Sequence, residues 1–169
     1  MKLGDGVEAA IHCTTTLAGL RSDAVISGAD LANGFGVSAS YLLKHLKALT
    51  GAGILASVPG PKGGYRIGRP ADQITLLDIV LAVEGAEPAF RCAEIRRRGP
   101  GAPGADAYPN PCGINAAMLR AERAYRAALR EVRVSDLLAD HLANSDPRVV
   151  RHGCAMVEQF QRLQPNAAN

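Results

Sequence analysis

The sequence predicts a mainly α chain: a winged helix-turn-helix with a small β-hairpin wing, followed by a long helix suited to packing against another helix. Three observations predict it. Two short helical segments meet at the turn signal "NGFG"; two apolar runs directly after them flank "PGPKGG"; and apolar residues recur at helical spacing from residue 113 to 133. Hydrophobic residues make up 47% of the 169, aromatics only 4%, and tryptophan is absent, so the core must be built from Ala, Leu, Val and Ile. That favours closely packed helices.

The first helix is expected over residues 5–20, with Val7, Ala10, Ile11, Thr14, Leu17 and Ala18 on the 3.6-residue stripe. Glu8 and His12 lie to one side of it, one turn apart on a shared face. Ser27 can cap the next helix, with Asp30 completing an approximate capping box, and that helix runs through Leu31 to the "NGFG" turn. Ser38 can cap the following helix over about residues 39–50, which buries Leu42, Leu46 and Leu49. Ser40, Tyr41, Lys44 and Lys47 fall on or near its open side. The hairpin comes next, with Lys62 at a basic tip and Tyr65 read as a core prop. Thr75 then caps a helix whose expected apolar face is Leu76, Ile79, Val80 and Val83.

From Glu87 the character changes. Four prolines and three glycines lie between Arg97 and Cys112, so residues 87–112 read as a long loop fenced by Cys92 and Cys112. The "RRR" run at 96–98 reads as a solvated charge cluster. In the helix after the loop, Ile114, Met118, Ala121, Tyr125, Ala128 and Val132 form a seam suited to a second helix. "VSDLLADHLA" is a short capped helix. Beyond Asn144 the signal fades, although 149–163 keeps helical character and "QPNAAN" reads as a disordered end. The expected division is 1–86 winged helix-turn-helix, 87–112 loop, 113–143 dimerisation helix with the short helix after it, and 144–169 tail.

Composition excludes several classes. The longest apolar run, "ITLLDIVLAV", is short and carries Asp78, so it does not read as a membrane span. The N-terminus lacks the layout of a secretory signal, which points to the cytoplasm. Four cysteines are too sparse for a disulfide scaffold; in a reducing compartment, cysteines in a loop point to metal binding or redox chemistry. No catalytic triad or phosphate loop is present, which argues against an enzyme. The formal net charge of +3 is compatible with a nucleic-acid partner without requiring one.

Taken together, "VSASYLLKHLKALTGAGIL", "GPKGGYRIGRP", "ITLLDIVLAVEG", the cysteines and the long helix resemble the IscR/NsrR-like regulators over roughly residues 1–140. These are dimeric bacterial winged-helix transcription factors, many of which hold an iron–sulfur cluster. Most cluster-binding members place three cysteines close together in the loop. Here there are two, with nineteen residues between them. The pattern is nearer to the redox-sensing RsrR-like branch, although Ala9 stands where that branch can carry an aromatic residue. The resemblance implies a [2Fe–2S] cluster held by Glu8 and His12 of one subunit and Cys92 and Cys112 of the other. Such a cluster takes two protein ligands on each iron, and imidazole can replace thiolate on one of them.

The resemblance also implies a redox-sensing homodimer, acting as a repressor on a palindromic operator in double-stranded DNA. Ser38, Ser40, Tyr41, Lys44 and Lys47 would address the major groove, and Lys62, Gly63 and Gly64 of the wing would approach the backbone or minor groove. Pro59 stands where some members carry a minor-groove arginine. Two alternatives stay open at the cysteines: a metal-free thiol–disulfide switch between Cys92 and Cys112, and zinc on the same four donors. Cys13 is expected to be buried, and His152 and Cys154 are expected not to be ligands.

Overall fold

The computed structural model describes residues 3–164, so residues 165–169 of the expected disordered end lie outside it. Helix α1 spans Asp5–Ala18 and buries Val7, Ala10, Cys13, Thr14 and Leu17, the predicted stripe shifted slightly around the helix. Cys13 is fully buried, and burial pushes its thiol up to about 12, so it acts as a small core residue rather than a reactive one.

The helix-turn-helix follows as α2, Gly28–Phe35, and α3, Ala39–Gly51. Ser27 caps α2 as expected: its hydroxyl accepts the Asp30 N–H at 3.1 Å and donates to the Asp30 carboxylate at 2.6 Å. The helix continues past the expected stop, through Gly34 to Phe35. It ends at Gly36, whose φ of 65° is the left-handed C-cap conformation that glycine adopts freely. Ser38 occupies the N-cap position of α3 but does not cap it; its hydroxyl pairs with Ser40 Oγ at 2.9 Å. Leu42, Leu46 and Leu49 are fully buried, in one core with Leu17, Leu31, Ile54, Ile74, Ile79 and Val134.

The wing is the antiparallel pair β2, Leu55–Val58, and β3, Gly64–Ile67, in the register Leu55↔Ile67 to Val58↔Gly64. The strand before them, β1 at Ala24–Val25, continues into Ile26, which bridges to Tyr65. This close approach requires glycine at 64, where a Cβ would lie 2.5 Å from the Ile26 carbonyl oxygen. Gly63 is buried, and a Cβ there would collide with the Val58 carbonyl. Both wing glycines are therefore needed by the hairpin itself.

Helix α4, Leu76–Glu84, starts with a full capping box between Thr75 and Asp78. Its most buried face is Leu77, Ile79 and Val80; Leu76, expected inside, is only partly buried. The Leu76 N–H is instead drawn to the Val132 carbonyl at 2.9 Å, where the chain between α5, Gly113–Glu131, and α6, Val134–Asn144, runs beside it. That crossing, with Val134 N–H to Ile74 O at 2.9 Å, fixes the long helix against the winged domain.

Beyond Asn144 the chain is ordered into α7, Pro147–Phe160, and a short strand β4, Arg162–Leu163. Asp146 caps α7 and Pro147 sits in its first turn, where the missing N–H costs nothing. Met156 of α7 fills the space above Gly34, which explains a glycine inside α2. β4 pairs antiparallel with β1. From there, Arg162 reaches Asp30 at 2.6 Å and Gln164 donates to the Lys62 carbonyl at 2.8 Å, so the C-terminal segment is clasped onto the wing turn. Among the described residues, no helix is long and apolar enough to cross a membrane.

One buried polar side chain links α1 to α3. His45 is 7% exposed, its ring lies against Gly6 of α1, and its Nε2 has no hydrogen-bond partner. The Tyr41 ring meets it edge-on, centroids 4.8 Å apart. Burial, and then the neighbouring Lys44 charge, hold its pKa below the usual histidine value, with Glu84 opposing. The unfolded chain takes up a proton here more readily than the folded one. This contribution to stability is therefore complete above about pH 6.5 and is lost as pH falls from there toward the depressed folded value. Urea midpoints measured from pH 5 to 8 are expected to fall on the acid side, with a shallower fall in His45→Gln.

Candidate metal centre and nucleic-acid face

Cys92 and Cys112, with nineteen residues between them, are brought together by the path of the loop. Their sulfurs and a carboxylate oxygen of Glu94 all lie within 4.8 Å of one another. Among the described residues this is the group of three or more His, Cys, Asp or Glu donors so arranged; Glu8 and His12 are outside it in the single chain. Cys112 is the N-cap residue of α5. The Asn115 backbone N–H pulls its thiol below the ordinary cysteine value, helped by the Ile114 N–H, Cys92 and the Arg96 charge, while burial works against them.

The loop is pinned at its stem and across its middle. At the stem, Glu122 of α5 is nearly buried; it accepts the Ala89 N–H at 3.1 Å and the Arg126 guanidinium at 3.0 Å. Arg126 in turn donates to the Ala86 and Glu87 carbonyls at 2.9 and 3.2 Å. Across the middle, the Arg96 and Arg97 guanidinium groups lie 5.1 and 5.3 Å from the Tyr108 ring centre, and Arg96 donates to the Asn110 carbonyl at 2.7 Å. The Tyr108 hydroxyl returns a bond to the Arg96 carbonyl at 2.8 Å. Arg96 and Arg97 are thus staples between the two limbs of the loop. Glu122→Ala leaves the Ala89 N–H without its acceptor and Arg126 with only the Ala86 and Glu87 carbonyls. It is expected to cost about 2–3 kcal/mol in urea unfolding, less than a fully buried pair because Arg126 keeps part of its hydration.

Glu8 and His12 are exposed on α1 beside a hollow of about 340 Å³ that is also lined by Leu3 and Ile11. The His12 ring lies 5.8 Å from that of Phe35, the last residue of α2. His152 and Cys154 are exposed on α7 and belong to no donor cluster among the described residues.

On the opposite side of α3 from the core, Ser38, Ser40, Tyr41, Lys44 and Lys47 are all exposed, as is Lys62 at the wing turn. Two lysines and three hydroxyls on one accessible helix face, with a cation on the adjoining hairpin, can meet phosphates and base edges. Gly63 offers no such surface, and Gly64 is half covered. On α5, Ile114 is 67% and Met118 43% exposed, so the first half of the predicted seam is unpaired within the chain, whereas Tyr125 and Val132 further along are half-buried.

A helix-turn-helix with an open polar helix, a hairpin wing and a long outer helix defines a DNA-binding regulator of the winged-helix type. Residues 3–140 match the profile of the Rrf2 family, described as an iron-dependent transcriptional regulator, and the chain belongs to that family. It is 37% identical over 109 residues to protein aau3 of Rhizobium meliloti, covering 64% of this chain and 67% of that one. It is 39% identical over 70 residues to the transcriptional regulator IscR of Photobacterium profundum, covering 41% of each. Two further curated regulators are matched over 58% and 54% of their own length.

Among solved structures, CymR, the global cysteine regulator of Bacillus subtilis, superposes with a TM-score of 0.63 at 22% identity, over 82% of this chain and 97% of that one. IscR of T. potens superposes with a TM-score of 0.62 at 18% identity, over 89% and 96%. The fold is therefore the winged helix expected from the sequence. The family and its neighbours are transcriptional regulators rather than enzymes.

Proposed function

We propose that the protein is a homodimeric, redox-sensing transcriptional regulator, acting as a repressor on a palindromic operator. A [2Fe–2S] cluster would be held by Glu8 and His12 of one subunit and Cys92 and Cys112 of the other. The observation that carries this reading is the convergence of the Cys92 and Cys112 sulfurs at the start of α5, across a nineteen-residue gap. Two thiols so placed suit one iron, while exposed Glu8 and His12, one turn apart, suit the other. The unpaired α5 seam at Ile114 and Met118 supports pairing with a second copy. When bound, the cluster would supply one-electron redox chemistry with an asymmetric ligand shell.

The rest is done by the chain. α1 carries the candidate ligands and packs on α3 through Gly6 and His45, while His12 touches Phe35 at the end of α2. A shift of the ligand face of α1 therefore acts on both helices of the DNA-reading unit. Half-sites lie about 34–36 Å apart, so a small rotation of one unit misplaces its α3 in the groove. Ser38, Ser40, Tyr41, Lys44 and Lys47 would enter the major groove, with Lys62 on the adjoining backbone.

Gel shifts on operator DNA with oxidised, reduced and cluster-free protein test the reading. Different affinities are expected, and equal affinity in all three rejects redox control. The second reading, a metal-free Cys92–Cys112 disulfide switch, draws on the same proximity of sulfurs. It predicts colourless anaerobic protein whose DNA affinity follows thiol oxidation.

A further inference from the structure

We propose that Cys92, Glu94 and Cys112 of a single protomer bind a thiophilic divalent cation, zinc, without Glu8 or His12. The three donors already lie within 4.8 Å of one another in one chain. Around a tetrahedral zinc with bonds of about 2.0–2.3 Å, ligand atoms stand roughly 3.5–4 Å apart, so little movement is needed.

Glu94 is built for the role in two ways. It is the non-glycine residue with positive φ among the described residues, at 47°, a conformation that costs energy and persists where the surroundings enforce it. Its two carboxylate oxygens are also differently used. Arg96 and Arg97 both bind Oε2, at 2.9 and 3.2 Å, whereas Oε1 faces the Cys92 sulfur at 3.9 Å. One oxygen is anchored and the other is turned to the thiols. A cation would take the place of the proton that the Cys92 thiol now donates, over 3.9 Å, toward Oε1.

Binding releases the two thiol protons to solvent and gives two thiolate bonds and one carboxylate bond to zinc. The resulting net charge of −1 at the ion is balanced by the two adjacent guanidinium groups. Three protein donors leave one tetrahedral position for water. The site shares the two cysteines with the cluster reading and nothing else, so zinc and cluster are mutually exclusive occupants, and either reading can fail alone.

The test is a titration of cluster-free, full-length, reduced protein with Co²⁺ and then Zn²⁺. One Co²⁺ per chain is expected, with the visible bands of a tetrahedral thiolate site, displaced by one equivalent of Zn²⁺. The Glu8→Ala/His12→Ala double variant should behave identically. Glu94→Gln should bind Zn²⁺ at least tenfold more weakly. The proposal is overturned if the Glu8/His12 double variant loses the cobalt bands or if Glu94→Gln binds like the unaltered protein. Iron and sulfide content of anaerobically purified protein reports on the cluster reading separately.

Discussion

With the cluster held as proposed, Cys112→Ser is expected to abolish iron retention and visible absorption, because it removes the sulfur held at the N-cap of α5. The loss should be all or nothing. A hydroxyl at this position is a poor ligand for iron, and no cysteine besides Cys92, itself already a proposed ligand, is at hand: Cys13 is sealed in the core and Cys154 is exposed on α7. His12→Ala is expected to do less, leaving a labile, partly loaded protein with an altered spectrum, since water can enter the vacated position. Iron and sulfide analysis of anaerobic preparations checks both. Circular dichroism should be unchanged in both, because Cys112 lies at a helix end and His12 on an exposed face.

The largest effect on folding is expected at Leu46, which is fully buried at the centre of α3. Leu46→Ala should cost about 3–4 kcal/mol, the sum of lost transfer energy and an unfilled cavity. Against a typical total of 5–15 kcal/mol this consumes a large share of the stability, and DNA binding would fail through unfolding. Lys44, two residues earlier and exposed, should behave in the opposite way. Lys44→Ala is expected to leave the urea midpoint unchanged, to weaken operator binding, and to reduce the slope of log affinity against log salt by about 1. Urea unfolding and salt-dependent gel shifts on the two variants separate the faces of one helix: one holds the fold and the other is the proposed DNA face.

Much of this was legible in the sequence because it is written locally. Ser27 with Asp30 and Thr75 with Asp78 are caps three residues apart, and the Leu42, Leu46 and Leu49 face follows from spacing alone. The wing was legible from two apolar runs around "PGPKGG". Leu76 against Leu77 was not, because both are apolar neighbours and which one faces the core is decided by tertiary packing rather than by local spacing. Of the candidate site, the two cysteines were visible by residue type and their convergence was not. Glu94 was missed because its left-handed backbone leaves no local signal. Glu122 was missed because a lone acidic residue on a helix reads as solvated until its partner, the Ala89 N–H, is placed beside it. The "RRR" run is exposed, as expected of a solvated cluster; its added role as a loop staple was hidden because Tyr108, which Arg96 and Arg97 stack on, lies across the loop. Strand β4 has only two residues, too few to show a period.

That short strand has a practical consequence. It shields Ala24 and Val25, both wholly inaccessible, from acting as a raw sheet margin open to other molecules. A chain clipped by a protease after Phe160 would bare this apolar border and untie the turn carrying Lys62 at the same stroke. Clumping in storage and a slackened grip on the operator should then arrive together, traceable to one cut.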